Sequence, residues 1–301
     1  MSKKSKRNAS ALSFVLTLVA IVIILVSRLT GIDDTGKPVA LNTLDNKTLV
    51  VHYLDVGQGD SEFIELPNGE YMLIDASEKG YSNEIIEAIE GYGCSKLDYV
   101  VATHPHSDHI GGLSEVINHF DIGEIYMPKA VSTSKTYERL LTAVSDKNLQ
   151  INTAKAGKSI YSSDELKIDI IAPIHDAYDD INNYSVVIKI SYGSNSFLFT
   201  GDAEALVENE LLENNYSQLN CDVLKVGHHG SNSSSTLNFL EAVSPTYSVI
   251  SCGEGNSYGH PHSETLMRLA DVGTFVYETD RDGTVTINCD GADNFEVVCE
   301  K

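Results

Sequence analysis

Short apolar runs alternate along the chain with longer segments in which apolar residues recur at helical spacing. Runs rich in Val, Ile, Tyr and Phe are typical of strands, whereas Ile85, Ile86 and Ile89 recur as on one face of a helix. Strands are predicted at residues 48–54, 61–66, 71–74, 98–102, 124–127, 166–172, 185–191, 196–200, 221–226, 247–251, 274–277, 284–288 and 295–299. Helices are predicted at residues 82–90, 113–120, 135–144, 204–213, 235–243 and 263–271. Paired strands come first and later strands alternate with helices, so the pattern predicts an α/β or α+β domain of layered sheets and helices.

The first 30 residues have a different pattern. Residues 1–8 are basic and polar, and residues 11–26 form an almost uninterrupted apolar run. Such a run, with Lys and Arg before it and acidic residues after it, predicts a transmembrane helix whose amino terminus lies in the cytoplasm. Residues 31–47 are rich in Gly, Asp and Asn and predict a linker, so the folded domain is placed at residues 48–301.

Two fates are open for the apolar segment at residues 1–30, a signal peptide that is cleaved or a signal anchor that stays. No clear A-x-A cleavage site follows Val26, which favours the anchor. The predicted location is therefore the cell membrane, crossed once, with the folded domain on the extracytoplasmic side. Secretion after cleavage is the alternative.

Charge bears on the partners that the domain can have. The formal net charge of the 301 residues is −22, and the first 30 residues hold five of the 21 basic groups and no acidic group. The remaining residues therefore carry −27, which repels polyanions at long range. No basic stripe with interleaved aromatic residues is present in the sequence, so strong independent binding of nucleic acid is not expected.

The five cysteines are scattered, and the sequence has no Cys-x-x-Cys pair that would indicate a thiolate zinc site. Cys289 and Cys299 fall on neighbouring predicted strands and can form a disulfide in an oxidising compartment. The alternative is that both cysteines are reduced and buried.

The strongest chemical signal is the segment THPHSDHIGG at residues 103–112. Three His and one Asp fall within six residues directly after an apolar run, where a loop can point alternate side chains into one cleft. Imidazole and carboxylate are ligands that zinc and similar cations prefer. Gly111 and Gly112 allow a helix to begin close behind the loop. A solvated His-rich turn would explain neither the Asp nor the two glycines, so a metal site is predicted.

These residues resemble the H-x-H-x-D-H signature of the metallo-β-lactamase superfamily. Three further segments resemble its other motifs in order, namely LIDA at residues 73–76, FLFTGD at residues 197–202 and KVGHHGS at residues 225–231. The resemblance implies a four-layer αββα sandwich and a hydrolase that uses one or two divalent metal ions to activate water. Zinc is the expected ion, and manganese is the alternative.

Within the superfamily, the chain is most similar to the extracytoplasmic hydrolase domain of ComEC-type DNA-uptake proteins and their stand-alone relatives. LDVGQGD at residues 54–60, NYSVVI at residues 183–188 and YGHPH at residues 258–262 carry this resemblance, together with the KVGHHGS segment. The resemblance covers about residues 49–290. Phosphorylcholine esterases of bacterial surfaces are similar over the first motifs and less so at residues 259–262.

The resemblance also implies the metal ligands. They are His104 and His106 for one ion, Asp108 and His109 for a second ion, and Asp202 as the bridge between the two.

One further ligand is implied for the second ion, and it is either His228 or His229. The resemblance leaves open which of the two it is. Many members of the superfamily have a third His for the first ion where this chain has Asn183 or its neighbours. The first site is therefore the weaker one, and a single bound ion is an alternative to two.

Five residues are predicted to support the metal site or the substrate, and Asn183 near the first ion is one of them. Asp60 and Asp75 are expected to brace ligating imidazoles, and capping of a turn or a strand end is the alternative. Lys225 and Ser231 are candidates for contact with a substrate phosphate. Lys225 can equally be a solvated strand residue.

Catalytic roles are predicted for Asp108, as a ligand at the reacting centre, and for His260. A His near the metal ions can protonate the leaving oxygen. His260 is preferred to His262 because the family resemblance falls on Gly-His-Pro, although a packed surface His is the alternative. The remaining histidines outside these motifs are predicted to be structural, namely His52, His119 and His175.

The predicted function is therefore a membrane-anchored, extracytoplasmic, metal-dependent hydrolase of a phosphodiester, either in nucleic acid or in a phosphocholine-like group. One alternative is hydrolysis of a carboxylic ester, a lactone or a β-lactam, in which the same water attacks a carbonyl carbon. The other alternative is a non-catalytic metal-binding component of a DNA-uptake system. The His-His-Gly-Ser and Gly-His-Pro motifs favour the phosphodiester.

Overall fold

The computed structural model describes residues 48–301, apart from the side chains of residues 215–218. The predicted transmembrane helix and linker, at residues 1–30 and 31–47, lie outside the described residues and stay predictions. No helix in residues 48–301 has the length and the apolar character that a membrane span requires.

Fifteen strands are present in the described residues, and each of the strands predicted from the sequence is among them, three with the predicted ends and the others with shifted ends. They are β1 (Leu49–Tyr53), β2 (Glu62–Glu65), β3 (Tyr71–Ile74), β4 (Lys96–Val101), β5 (Asp121–Met127), β6 (Ile151–Thr153), β7 (Lys158–Ser162), β8 (Leu166–Ala172), β9 (Val187–Tyr192), β10 (Asn195–Phe199), β11 (Val223–Lys225), β12 (Tyr247–Ile250), β13 (Phe275–Glu278), β14 (Val285–Cys289) and β15 (Phe295–Cys299).

These strands form two sheets. The first sheet has eight strands in the order β15-β14-β1-β2-β3-β4-β5-β6, and the second has seven in the order β13-β12-β11-β10-β9-β8-β7. β6 and β7 were not predicted from the sequence. Both lie at sheet edges and none of their residues is buried, so they lack the run of buried apolar positions by which a core strand is recognised.

Eight α-helices connect the strands of the described residues. They are α1 (Ser82–Gly91), α2 (Ser107–Ile110), α3 (Leu113–His119), α4 (Lys135–Asp146), α5 (Ala205–Leu219), α6 (Leu237–Val243), α7 (Ser263–Val272) and α8 (Thr279–Asp282). Single 3-10 turns lie at Lys79–Tyr81, Ile181–Tyr184 and Gly227–Gly230. Local signals fix some ends, since the Ser134 hydroxyl accepts from the amide of Tyr137 at the start of α4 and Gly273 ends α7 with a positive φ.

Three apolar cores lie between four layers. The facing sides of the two sheets form the central core, where the rings of Tyr53 in β1 and Phe199 in β10 are 6.1 Å apart. Helices α1, α3 and α4 cover the outer face of the first sheet, and α5, α6 and α7 cover that of the second. The result is an αββα sandwich, which is the arrangement that the resemblance predicts.

The disulfide considered from the sequence is wrong. β14 and β15 are antiparallel neighbours, but Cys289 lies opposite Phe295 and Cys299 lies opposite Val285. The two thiols are therefore at opposite ends of the hairpin, farther apart than the roughly 7 Å between Cα atoms that a disulfide tolerates. Both cysteines are free, and Cys289 is buried.

Candidate metal centre

The candidate ligands follow the carboxyl ends of parallel strands. β3 and β4 are parallel neighbours in the first sheet, as are β10, β11 and β12 in the second. Asp75 follows β3, residues 103–109 follow β4, Asp202 follows β10, and His228 and His229 follow β11. Because the carboxyl ends of parallel strands lie at one edge of a sheet, a single cleft collects residues that are far apart in the sequence.

The loop after β4 is held against the chain that follows β3. It leads into α2 (Ser107–Ile110), so Asp108 and His109 lie on a single helical turn. The amide of Gly112 donates to the carbonyl oxygen of Ala76 at 3.1 Å. A Cβ on Gly112 would lie only 2.5 Å from that oxygen, so glycine is required for this close approach.

One group of ligand atoms comes from both sheets. The ligand atoms of Asp108, His109, Asp202 and His229 all lie within 4.8 Å of one another. Oδ1 of Asp202 lies 3.1 Å from Nε2 of His109 and 3.5 Å from Nε2 of His229. Oδ2 of Asp108 lies 3.4 Å from the same nitrogen of His229. Two imidazoles and two carboxylates at this spacing provide as many ligands as a tetrahedral divalent ion needs.

A second group lies on the other oxygen of Asp202. The ligand atoms of His104, His106 and Asp202 also lie within 4.8 Å of one another. Nε2 of His104 is 3.0 Å from Nδ1 of His106 and 3.7 Å from Oδ2 of Asp202. Nε2 of His228 lies 3.6 Å from the same Oδ2 but is not part of this group. Asp202 therefore presents one oxygen to each group, as a bridging carboxylate does.

Buried atoms without hydrogen-bond partners show that the residues fit a metal ion. Oδ1 of Asp202, Nε2 of His109 and Nε2 of His229 are buried and make no hydrogen bond. Each unpaired buried polar atom costs about 1–3 kcal/mol, so three of them at one point are unfavourable unless a ligand joins them. Imidazole and carboxylate suit divalent ions such as zinc and manganese. The cluster therefore fits the divalent ion that the motif predicts.

Asp75 supports His109 and does not offer a free ligand atom. Its Oδ2 lies 2.7 Å from Nδ1 of His109, and its Oδ1 accepts from the amide of Thr103 at 2.8 Å. A carboxylate on one ring nitrogen fixes the tautomer and leaves the other nitrogen for a metal. Atoms of Asp60, Asp75 and His109 also lie within 4.8 Å of one another, but the hydrogen bonds of Asp75 assign this third group to bracing.

The structure places His229, and not His228, beside Asp108. His229 is buried, and its Nδ1 lies 3.0 Å from the carbonyl oxygen of Ser251. His228 is partly exposed, and its Nδ1 lies 3.2 Å from Oγ of Ser233. The geometry thus favours His229 as the ligand next to Asp108 and places His228 on the side of the other group.

Both histidines have a left-handed backbone conformation. His228 has φ 51° and ψ 47°, and His229 has φ 53° and ψ 25°. Residues other than glycine are uncommon in this region, and strain of this kind costs on the order of 1–3 kcal/mol. The strain is tolerated where it directs two consecutive imidazoles toward the same carboxylate, which is typical of a functional site.

Charges in the metal-free centre oppose one another. Burial alone would lower the pKa of His229, yet Asp202 and then Asp60 raise it to about 10. Burial would raise the pKa of Asp202, but His109 and His229 hold it well below its ordinary value. Burial, and then His109, lower the pKa of His104 well below its ordinary value. A divalent ion binds neutral imidazoles and ionised carboxylates, so its binding to this centre is expected to release protons.

The ligand atoms open into a cavity of about 270 Å³. Its wall is formed by polar and aromatic residues, including Gln58, Tyr258 and His260, with no aliphatic side chain and no Lys or Arg. Tyr258 is 64% exposed, and its ring is stacked on that of His260 at 5.6 Å. A larger depression of about 490 Å³ lies between α3 and α4 and contains none of the candidate ligands.

His260 is the predicted catalytic histidine that reaches the cavity. Its ring lies 5.6 Å from that of His228 and 6.3 Å from that of His229. Burial, and then these two neighbours, lower the pKa of His260 to about 4, so its imidazole is neutral near pH 7. The predicted acid role therefore requires that an anionic substrate raises the pKa of His260 enough for its imidazole to take up a proton from water. His262 is outside the cavity wall, and its Nδ1 accepts from the amide of Asn232.

Two residues predicted to contact a substrate phosphate lie outside the cavity wall. Lys225 is 0% exposed, and its Nζ lies 2.7 Å from Oδ2 of Asp60. A phosphate cannot reach an enclosed ammonium group, so this prediction is wrong, as is the alternative of a solvated strand residue. Ser231 is buried, and its hydroxyl lies 3.0 Å from that of Ser233, where it holds the loop after His229.

Ser185 lies beside His104, at the position near His104 and His106 that the sequence associated with Asn183. Oγ of Ser185 lies 3.3 Å from Nδ1 of His104 and accepts from the amide of Asp202 at 3.1 Å. Asn183 is buried and accepts from the amide of Glu204. Sequence reasoning missed Ser185, although it lies in the NYSVVI segment that carried the resemblance.

The sequence also missed Thr103 and Ser251, whose oxygens lie beside ligand imidazoles, and Gln58 and Tyr258 in the cavity wall. No residue-type signal marks a serine carbonyl or a single Gln as part of a metal centre. The histidines predicted to be structural lie outside both groups of ligand atoms, and each contacts a Glu or, in one case, a Glu and a Thr. They are His52, His119 and His175.

Glu208 on α5 holds the loop that follows the two histidines and is expected to make stability depend on pH. Its carboxylate accepts from the amides of Ser235 and Thr236, and burial raises its pKa from 4.5 to about 7. The folded protein therefore binds the proton more strongly than the unfolded chain does, so stability falls as the pH rises from about 4.5 to 7. The fall amounts to at most about 3 kcal/mol. Denaturant unfolding across this range measures it, and Glu208→Gln should flatten the profile; identical profiles would contradict the assignment.

The sequence matches the family described as the metallo-beta-lactamase superfamily over residues 54–254. It is 30% identical over 252 residues to ComE operon protein 3 of Bacillus subtilis (strain 168), which covers 78% of this chain and 32% of that protein. It is 28% identical over 231 residues to Competence protein ComA of Neisseria gonorrhoeae, which covers 77% of this chain and 31% of that protein. The chain thus spans about a third of the length of these curated relatives.

A solved structure has a similar fold. The metallo-beta-lactamase fold protein YhfI from Bacillus subtilis matches with a TM-score of 0.55 and 13% identity, over 81% of this chain and 100% of that chain. At that identity the likeness shows the fold alone. The family match covers more than half of the chain and includes every residue of both ligand groups. The chain belongs to the metallo-β-lactamase superfamily, and its relatives include competence proteins.

Proposed function

We propose that this chain is a metal-dependent hydrolase that cleaves a phosphodiester. The observation that carries the proposal is the position of Asp202, whose two oxygens face two groups of ligand atoms at the base of an open cavity. Two ions held a few ångströms apart suit the attacking and leaving oxygens of an in-line displacement at phosphorus.

The proposed ligands follow the two groups. Asp108, His109 and His229 would hold one ion together with Oδ1 of Asp202, with zinc as the proposed metal and manganese as the alternative. His104 and His106 would hold the other ion with Oδ2 of the same carboxylate. His228 lies within 3.6 Å of that oxygen and adds a further imidazole near the otherwise ligand-poor site.

Divalent ions at such a site supply Lewis acidity and activate water for attack near neutral pH. The residues of the chain then divide the remaining work. Asp75 fixes His109 through its Nδ1, and the carbonyl of Ser251 does the same for His229. An anionic substrate beside His260 would raise the pKa of this imidazole, so that His260 takes a proton from water and donates it to the leaving oxygen, which departs as an alcohol.

The cavity supports a phosphodiester in preference to a lactone or a β-lactam. Its wall lacks aliphatic side chains for an apolar ring, and it includes His260, an imidazole that is assigned to neither ion and can contact a phosphate oxygen. Nucleic acid is proposed as the substrate because the LDVGQGD and KVGHHGS segments resemble those of DNA-uptake proteins. A net charge of −22 opposes tight binding to long nucleic acid, so contact with it would be brief or would depend on a partner.

A substrate panel tests the proposal. The purified full chain is assayed with zinc or manganese on bis(4-nitrophenyl) phosphate, single-stranded DNA, 4-nitrophenyl phosphocholine, a lactone and a β-lactam. Turnover of the first two in preference to the others is the expected result. Selective turnover of the phosphocholine compound would identify a phosphocholine-like group, and not nucleic acid, as the substrate. Selective turnover of the lactone or the β-lactam, or none of any substrate with both ions bound, would contradict the proposal.

We also propose that residues 1–30 anchor the chain in the membrane with residues 48–301 outside. The support is the difference in charge along the chain. Residues 1–30 carry five basic groups and no acidic group, whereas the rest of the chain is strongly acidic. Protease added to intact cells is expected to cut the linker at residues 31–47 and to release a soluble fragment. A cytoplasmic marker protein that stays intact controls for lysis. Protection of the domain until the cells are broken would show that the proposed orientation is wrong.

A further inference from the structure

A fully buried lysine lies beneath the metal centre. Lys225 is 0% exposed, and no other Lys or Arg of the described residues is buried. Its Nζ donates to Oδ2 of Asp60 at 2.7 Å and to the carbonyl oxygen of Val226 at 3.1 Å. An ammonium group in such a place costs several kcal/mol of desolvation unless it is paired, so the pair with Asp60 is a requirement of the fold.

Asp60 connects this lysine to a metal ligand. While Oδ2 of Asp60 accepts from Lys225, its Oδ1 lies 3.1 Å from Nδ1 of His229. The hydrogen of Nδ1 points to the carbonyl oxygen of Ser251 at 3.0 Å, so Oδ1 of Asp60 makes a charge contact and not a hydrogen bond. In the neutral ring that a metal ligand must be, two oxygens beside Nδ1 keep the single ring proton there, so Nε2 is the nitrogen that faces Asp108 and Asp202 and can bind an ion.

A second carboxyl group lies near the same ammonium but does not compete for it. Glu62 is buried in β2, and its Oε1 has no hydrogen-bond partner. Burial, and then the charge of Asp60, raise the pKa of Glu62 well above its ordinary value, so it stays neutral. Lys225 therefore balances one carboxylate, that of Asp60.

We infer that Lys225 is a positioning residue of the metal centre, whose ammonium group fixes Asp60 against His229 and thereby directs Nε2 of His229 to the ion held with Asp108. A structural ion pair alone would explain the stability of the pair but not its contact with a ligand imidazole. The inference rests on the metal site of the proposed function and is independent of the substrate.

The test measures the affinity of the full chain for Zn²⁺ by competition with a chelator, without substrate. Lys225→Met keeps the length of the side chain and removes its charge. We expect the affinity for the ion next to His229 to fall roughly 10–100-fold, the effect typical of partners that orient metal ligands. The control is Lys96→Met, which removes the exposed Lys–Asp pair on β4 and should leave both affinities unchanged.

A double-mutant cycle separates positioning from other roles. If Lys225 acts through Asp60, then Lys225→Met changes Zn²⁺ affinity by less than about threefold once Asp60→Asn is present. Losses that multiply in the double variant would overturn the inference, since the two residues would then act separately. The inference would also be overturned if Lys225→Met lowers the melting temperature of the metal-free protein but leaves its Zn²⁺ affinity unchanged.

The double variant also covers the case in which Lys225→Met alone fails to fold, because it removes both buried charges together. Its Zn²⁺ affinity is expected to stay roughly 10–100-fold below that of the unaltered protein. An affinity equal to that of the unaltered protein would overturn the inference. Since no substrate enters these measurements, their outcome is distinct from a failure of the phosphodiesterase proposal.

Discussion

Replacing Asp202 with Asn is expected to remove at least one metal ion per chain and to lower turnover more than a hundredfold. Asp202 is 1% exposed, and each of its oxygens faces a different group of ligand atoms. An amide keeps the shape of the side chain but offers a single weak acceptor to two sites. Loss of even an outer partner of a ligand costs roughly 10–100-fold, so loss of a bridging ligand should cost more.

Metal analysis and turnover on the same preparation measure the effect of Asp202→Asn. The matched control is Asp169→Asn on β8, where the carboxylate pairs with Ser159 outside both ligand groups. That control should keep the metal content and the activity of the unaltered protein. Full metal content in Asp202→Asn would show that the carboxylate is not a bridge, whatever happens to turnover.

Replacing His260 with Ala is expected to lower turnover about a hundredfold to ten-thousandfold on an alkyl phosphodiester, with metal content unchanged. His260 lies in the cavity wall, and its Nδ1 is buried without a hydrogen-bond partner. An alkoxide needs a proton in order to leave, whereas a nitrophenolate does not. The loss should therefore shrink strongly on a nitrophenyl phosphodiester.

Comparison of kcat for the two substrates tests the role of His260. His262→Ala is the control, because His262 is a neighbouring imidazole outside the cavity wall. Equal losses on both substrates would replace proton donation by phosphate binding as the role of His260. Loss of metal from His260→Ala would make this residue a ligand and overturn its assignment.

The elements of the core could be predicted because burial leaves a pattern in the sequence. β4 (Lys96–Val101) ends in an apolar run that fills the core under α3, and its predicted position at residues 98–102 was close. β6 and β7 pair at sheet edges with exposed side chains, and their stability comes from backbone hydrogen bonds that do not depend on residue type. The disulfide prediction failed because strand register, and not strand adjacency, decides which cysteines meet.

Four of the ligand residues could be predicted because the H-x-H-x-D-H spacing places them on one loop, and Asp202 could be predicted because FLFTGD resembles a further motif of the superfamily. The choice between His228 and His229 could not be predicted from the sequence. Adjacent side chains normally point in different directions, and the positions of these two depend on the left-handed φ that both residues have. Ser251 acts through its carbonyl oxygen, which every residue has, so no sequence signal distinguishes it.

Both predictions for Lys225, contact with a phosphate and a solvated position, were wrong because its surroundings depend on distant parts of the chain. A lysine at a strand end is ordinarily solvated, and its charge suggests phosphate. Its partner Asp60 is 165 residues away in the sequence, so only the packing of the two sheets brings them together. Buried charge pairs of this type depend on long-range contacts that local pattern does not encode.

Metal content and hydrolysis of bis(4-nitrophenyl) phosphate, measured on the same sample of the full chain, test the central claim most directly. The protein is stripped with a chelator and then titrated with zinc or manganese. The expected result is that turnover disappears with the ions and returns in proportion to the ions bound, and that Asp202→Asn does not recover. Turnover that survives complete removal of metal, or none at full occupancy, would contradict a metal-dependent phosphodiesterase.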